Sequence, residues 1–457
     1  MFKLTTEELE NLKKEHFRYL EKYAPCSVMT EEIWPLPDYK KEIEEGQEKE
    51  LVCWRIITRN CLPVRPTNAA DHLEWLLLIA GIRKAAESVK TTEEIIDWGK
   101  LLKEEGYITY KKDGSVKAAG KGNIRNRKMF ERLIEVPKTK EELQEYMNKY
   151  LIFFSDEEKL LSRYNISESD NKWSVSYGKV LLFDNLDSKE ETIKQIKKYE
   201  SEISRKPYPV IGESYRDGDV RKFDIMNNFG LKFINVGYKL KNREMHMYLN
   251  ALYDSLMNIA IALEIDPEDV GFNGQLSINI ADKRFYGNAC YSIKSRCISL
   301  ATERSIGTLS HEWIHALDAL CIPDDEKYTS LTDRKEDVPE SMQKLINTIK
   351  FNEDGSKTDY LLNAELAMGD KNRNHSYWTN DAELLARAGA VYIEDKLLEK
   401  GIVDNYLSGK EYHIKYLIWN VPTFPHDKER EKINKAFDDF IEDLKNRGIF
   451  HDNPRFG

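Results

Sequence analysis

The chain has 457 residues, 41% of them hydrophobic, and 69 Lys and Arg against 79 Asp and Glu leave a net charge of -10. That length exceeds what one ordinary core serves, so two domains are expected, while the acidic balance argues against wholesale polyanion binding and leaves room for a local basic patch. No apolar run reaches the roughly 18 residues that span a bilayer, and the opening MFKLTTEELENLKKEH has neither the basic start nor the apolar stretch of a secretory signal, so a cytoplasmic protein with no membrane partner is expected.

The region 1–203 reads as a helix-rich part of charged amphipathic segments. Thr91 and Glu94 have capping-box spacing ahead of Ile95, Trp98, Leu101 and Leu102. Gly106 stops that helix, Tyr107 to Tyr110 reads as a strand and Asp113-Gly114 as a turn, which together give 91–130 a winged-helix-like outline. A basic run follows, with Lys111, Lys112, Lys117, Lys121, Arg125, Arg127 and Lys128 around Gly120 and Gly122. Having no aromatic residues for stacking, it reads as a solvated connector ahead of a phosphate-contacting loop, so nucleic acid is not the favoured partner. The six cysteines are scattered, with no C-x-x-C pair, and read as reduced thiols.

Pro207 and Pro209 mark a boundary near Ser204, and 204–457 forms the second domain. Its elements are an extended stretch from Leu231 to Val236, a helix carrying Leu249, Leu252, Leu256, Ile259, Ala260 and Leu263, a turn and strand from Phe272 to Leu276, and a strand from Arg296 to Leu300. Short strands feeding helices make the fold α+β, mostly helical with a small sheet.

The chemistry lies in the next segment. His311, Glu312 and His315 form H-E-x-x-H, and two imidazoles four residues apart project from one helix face, where they converge on zinc. Glu312 beside them is placed to take a proton from water as general base. At about 100° per residue, Ile306, Leu309, Trp313, Ala316, Leu317 and Leu320 fall on the opposite side of the helix. Asp318 falls on the histidine stripe, where it is expected to accept an imidazole N–H. A catalytic zinc needs a third protein ligand, and no His follows shortly after Asp318. A carboxylate from a later helix is the alternative, and Glu383 is the best candidate, with Arg387 four residues on to steady it. The same pair also reads as an exposed Glu–Arg helix pair. His375 and Tyr377, just upstream, are candidates for stabilising a developing oxyanion.

The ordered set of segments resembles the zincin-like metallopeptidase domain found in large polyvalent proteins of phages and conjugative elements. It comprises Tyr215 to Val220, Asn228 to Phe233, Leu249 to Asp254, Asn273 to Leu276, Ile298 to Leu300, Gly307 to Asp318, and Tyr377-Trp378 leading into Glu383 to Ala388. The resemblance covers roughly Tyr208 to Lys445. Ile314 stands where the family often has Gly, Gly389-Ala390 where it usually has Phe-Glu, and Val236-Gly237-Tyr238 where it has Gly-Asn-Trp. It implies a zincin-like (gluzincin-type) domain, with His311, His315 and Glu383 as zinc ligands and Glu312 as the base. The expected function is that of a zinc-dependent metallopeptidase of a phage or mobile element, acting on a protein or peptide in the host cytoplasm. The alternatives are a binding or inhibitory protein braced by a structural zinc, and a nucleic-acid-associated factor working through the basic run.

Overall fold

The computed structural model describes residues 5–8, 10–11, 34, 37–62, 69–98, 108–110, 116–118, 133, 136–213, 215–237, 240–281, 289–321, 330–334, 338–367, 377–409, 413–416 and 419–453. The chain divides into two compact units, Met1–Phe153 and Phe154–Gly457.

The first unit contains helices α1 (Tyr39–Glu44), α2 (Lys49–Asn60), α3 (Ala69–Ser88) and α4 (Lys140–Lys149), together with the antiparallel hairpin β1 (Ile108–Tyr110) and β2 (Val116–Ala118). Leu51, Val52, Trp54, Ile56 and Ile57 of α2 are buried, and the Trp54 ring meets Trp98 edge-on at 5.3 Å. The expected capping box at Thr91 and Glu94 takes another form. A 3-10 turn spans Glu93–Asp97 without a side-chain cap, because the Glu94 carboxylate accepts the Lys90 N–H instead, at 2.7 Å. Of the winged-helix-like outline the hairpin is seen; the stretch joining the turn to it, and the basic run apart from Lys117, lie outside the described residues.

The second unit starts well before the expected boundary at Ser204. Helix α5 (Asp156–Leu161) is followed by a three-stranded antiparallel sheet, β3 (Asn165–Ser169), β4 (Lys172–Tyr177) and β5 (Val180–Leu186), and by α6 (Lys189–Ile203). These strands lie inside the region read as helix-rich. Asp170 and Asn171, both at positive φ (53° and 60°), make the tight turn that pairs β3 with β4. Val175, Leu186, Ile196 and Tyr199 form their core. Hydrogen bonds explain why they belong here: the Tyr177 hydroxyl donates to Glu394 at 2.8 Å, and Asn405 donates to the Ile203 carbonyl at 3.1 Å.

The larger core follows. Helix α7 (Lys222–Asn228) leads to β6 (Phe233–Val236), and α8 (Asn242–Leu263) to β7 (Ser277–Ala281), β8 (Ala289–Ser292) and β9 (Cys297–Ala301). Their sheet has the order β6-β7-β9-β8, with the first three strands parallel and β8 antiparallel at the edge. Ile234, Ile278, Ile280, Ile298 and Leu300 are buried, in one core with Leu252, Leu256 and Ile259 of α8. The remaining elements are α9 (Leu309–Leu320), α10 (Glu340–Lys350), α11 (Asp359–Ala367), α12 (Asp381–Glu399), the hairpin β10 (His413–Tyr416) and β11 (Trp419–Pro422), and α13 (Asp427–Asn446). The fold is thus α+β, mostly helical with small sheets.

Candidate metal centre

Helix α9 buries the side its periodicity selects: Leu309, Trp313, Ala316, Leu317 and Leu320 are all in the core. Trp313 anchors it, its ring stacked on Phe272 at 5.3 Å and its indole N–H donating to the Val270 carbonyl at 3.0 Å. His311 and His315 are left at the surface of that core, partly exposed.

Helix α12 packs against α9 and brings in the third group. Gly389 permits the approach, since a Cβ there would stand 2.7 Å from Cγ1 and Cδ1 of Ile314. The two positions where the chain differs from the family it resembles therefore meet face to face, one large and one absent side chain. Gly389→Ala is expected to destabilise the protein by about 1–3 kcal/mol through overpacking. Adding Ile314→Ala should show a coupling of at least about 0.5 kcal/mol in denaturant unfolding, and strict additivity would rule out this packing.

The result of that approach is a cluster of three donors. His311 Nε2 and His315 Nε2 are 3.2 Å apart; His311 Nε2 is 3.5 Å from Glu383 Oε2, and His315 Nε2 is 3.6 Å from Glu383 Oε1. Among the described residues this is the one group of three or more His, Cys, Asp or Glu side chains able to hold a metal ion. Zinc–ligand distances of about 2.0–2.1 Å in a tetrahedron put ligand atoms about 3.3 Å apart, close to all three separations. Glu383 Oε2 is buried without a hydrogen-bond partner, an arrangement that costs free energy unless a cation satisfies it. These residues fit zinc.

Electrostatics sorts the groups by role. Burial, and then the neighbouring His311, bring His315 down to about 4, so at neutral pH its ring is uncharged and free to ligate. Burial raises the carboxyl pKa of Glu383, but His311, His315 and Arg387 outweigh it and the net direction is down, toward a permanent anion. Glu312 goes the other way: burial and the Glu383 charge raise it, against His311 and a backbone hydrogen bond from Tyr291 on β8. Two neighbouring carboxyls pushed apart in this manner are suited to different tasks.

Arg387 steadies this arrangement from underneath. Its guanidinium lies 5.0 Å from the Trp378 ring and 5.8 Å from the Tyr360 ring, and donates to the Trp378 carbonyl at 2.6 Å and the Tyr360 hydroxyl at 3.1 Å. Nη1 reaches to 3.9 Å from Glu383 Oε2. Tyr377 begins the 3-10 turn Tyr377–Thr379, about half exposed, and its phenol pKa is raised by burial and then by the Glu383 carboxylate. It thus stands over the ligand cluster. His375 lies outside the described residues.

Asp318 departs from expectation. Its buried carboxylate accepts the Thr332 N–H at 3.0 Å and the Thr332 hydroxyl at 2.6 Å, so it fastens the 330–332 loop to α9 and is not hydrogen-bonded to an imidazole. The sequence reading also missed Tyr360, Trp378 and Tyr291. Only the adjacency of Trp378 to Tyr377 offered a signal for any of them.

Residues 369–448 match the family model described as large polyvalent protein-associated domain 1. The match contains Glu383 and Arg387, whereas the helix bearing His311 and His315 precedes it. No curated protein matches the chain. Among the described residues no helix is long and apolar enough to cross a membrane.

Proposed function

We propose that the protein is a zinc-dependent hydrolase of a phage or other mobile element, cleaving amide bonds in a protein or peptide. The observation that carries this reading is the convergence of His311, His315 and Glu383 at tetrahedral spacing beside a buried Glu312. His311, His315 and Glu383 would hold the metal. When bound, zinc supplies Lewis-acid polarisation of a carbonyl and lowers the pKa of water.

The chain's own residues account for the remaining requirements. Glu312, unable to ligate alongside His311 and His315 because it lies between them on the helix, accepts a proton from the attacking water and returns it to the leaving amine. Its raised pKa brings it closer to the pH at which such a proton shuttle works. Arg387 keeps Glu383 ionised and aimed at the two imidazoles. Tyr377 presents a phenol that stays protonated and can donate to a developing oxyanion. The match at 369–448 supports placing this chemistry in a large polyvalent protein setting.

The test is a peptide-library digest with the purified full chain, with metal content measured by elemental analysis. About one zinc per chain is expected, with cleavage that a chelator abolishes and added zinc restores. Stoichiometric zinc without cleavage of any peptide would turn the reading to a structural site.

A further inference from the structure

The helix that bears both histidines begins without a cap of its own, since Thr308 makes no side-chain hydrogen bond to its first turn. Helix N-termini leave donors that need partners, and here the partners come from a distant turn. The Ser310 N–H, one residue before His311, donates to the Leu407 carbonyl at 3.0 Å, and the Ser310 hydroxyl donates to the same oxygen at 3.0 Å. The Gly307 N–H donates to the Tyr406 carbonyl at 3.0 Å.

That turn is organised by one buried carboxylate. Asp404 Oδ1 accepts the backbone N–H groups of Tyr406 at 3.0 Å and Leu407 at 3.1 Å. Its Oδ2 accepts the Ser255 hydroxyl at 2.8 Å and the Asn258 amide at 2.9 Å, both from α8. Asp404, Ser255, Asn258 and Ser310 are all buried. A continuous series of hydrogen bonds therefore runs from α8 through Asp404 and the 406–407 carbonyls to the residue preceding His311. Nothing in it touches the three donor atoms, yet it fixes the end of the helix from which the first of them projects.

We propose that Asp404 is a positioning residue for the metal centre, holding the start of α9 so that His311 stands at ligand spacing from His315 and Glu383. This rests on the metal reading above. A group that only stabilised the fold would lower the melting temperature and leave the metal affinity of the folded protein alone, whereas a positioning group changes affinity and coordination geometry as well.

The experiment titrates the full chain with Co²⁺, reading the visible ligand-field spectrum and Kd well below each variant's melting transition. Asp404→Ala removes the acceptor of four donors and is expected to weaken binding about tenfold, as losses of supporting partners do, with an altered spectrum. Asp404→Asn keeps Oδ1 for the two backbone N–H groups, and an Asn258 amide turned end over end accepts its new N–H, so it should recover most of the affinity. Ser310→Ala removes one of the two hydrogen bonds to Leu407 and should fall between, and it decides the matter if Asp404→Ala does not fold. Wild-type Kd and spectrum in the folded alanine variants would overturn the proposal while leaving the metal reading intact. A wild-type chain that binds no Co²⁺ would overturn both.

Discussion

Glu312→Gln is expected to slow peptide cleavage by about 10² to 10⁴ while leaving zinc content and fold unchanged. Glu312 is 7% exposed and lies between the two histidines on α9. Glutamine keeps its size, and the amide oxygen can still accept the backbone hydrogen bond from Tyr291 that the carboxylate accepts now. What glutamine lacks is the ability to take a proton. The stability effect has a definite sign: burial disfavours the charged carboxylate, so a neutral amide in its place should hold the melting temperature steady or raise it. Zinc analysis, thermal unfolding and steady-state kinetics on one substrate separate the outcomes. A glutamine variant that folds, keeps zinc and cleaves at the wild-type rate would remove the general base from the mechanism and favour a structural zinc.

Much of this centre was legible because helical periodicity is a local property. The spacing of His311 and His315, the apolar face through Leu309, Trp313 and Leu317, and the small residues Ala386, Ala388 and Gly389 on α12 can all be read within a few turns of chain, and the structure places them as that reading requires. Features set by loops folding back were not legible. A helical wheel put Asp318 on the histidine side, but it cannot tell that Thr332, fourteen residues on, covers that position and takes both carboxylate oxygens. The link from Asp404 to Ser255 spans 149 residues and has no sequence signature at all. The sheet β3–β5 was missed for a different reason. Strands such as NISES and KWSVSY are short and rich in serine, and only the Asp170-Asn171 turn marked a hairpin. Its hydrogen bonds to α12 and to the 404–408 turn then draw 154–203 into the second unit, ahead of the proline-marked boundary.

Glu383→Ala is expected to abolish the stabilisation that zinc confers. A ligand bound only by the folded state adds about 2.7 kcal/mol at a free concentration of 100 Kd and about 4.1 kcal/mol at 1,000 Kd, so chelated wild type should melt well below the zinc-loaded form. Glu383 supplies the sole anionic donor of the cluster, and its Oε2 is buried without a hydrogen-bond partner. Removing it leaves two imidazoles, which is fewer than a stable zinc site needs. Its loss also strands the Arg387 guanidinium, buried between Tyr360 and Trp378 with Nη1 directed at the missing carboxylate. Unfolding measured with and without chelator therefore gives two distinct numbers. The gap between zinc-loaded and zinc-free protein should close in the variant, and the zinc-free variant should lie below zinc-free wild type by the cost of an unpaired buried charge. Glu383→Gln separates these two effects, since an amide still fills the space beside Arg387 but is a poor anionic donor. It should retain most of the zinc-free stability and still lose the zinc-dependent increment. A full zinc increment in both variants would mean that the third ligand is another residue.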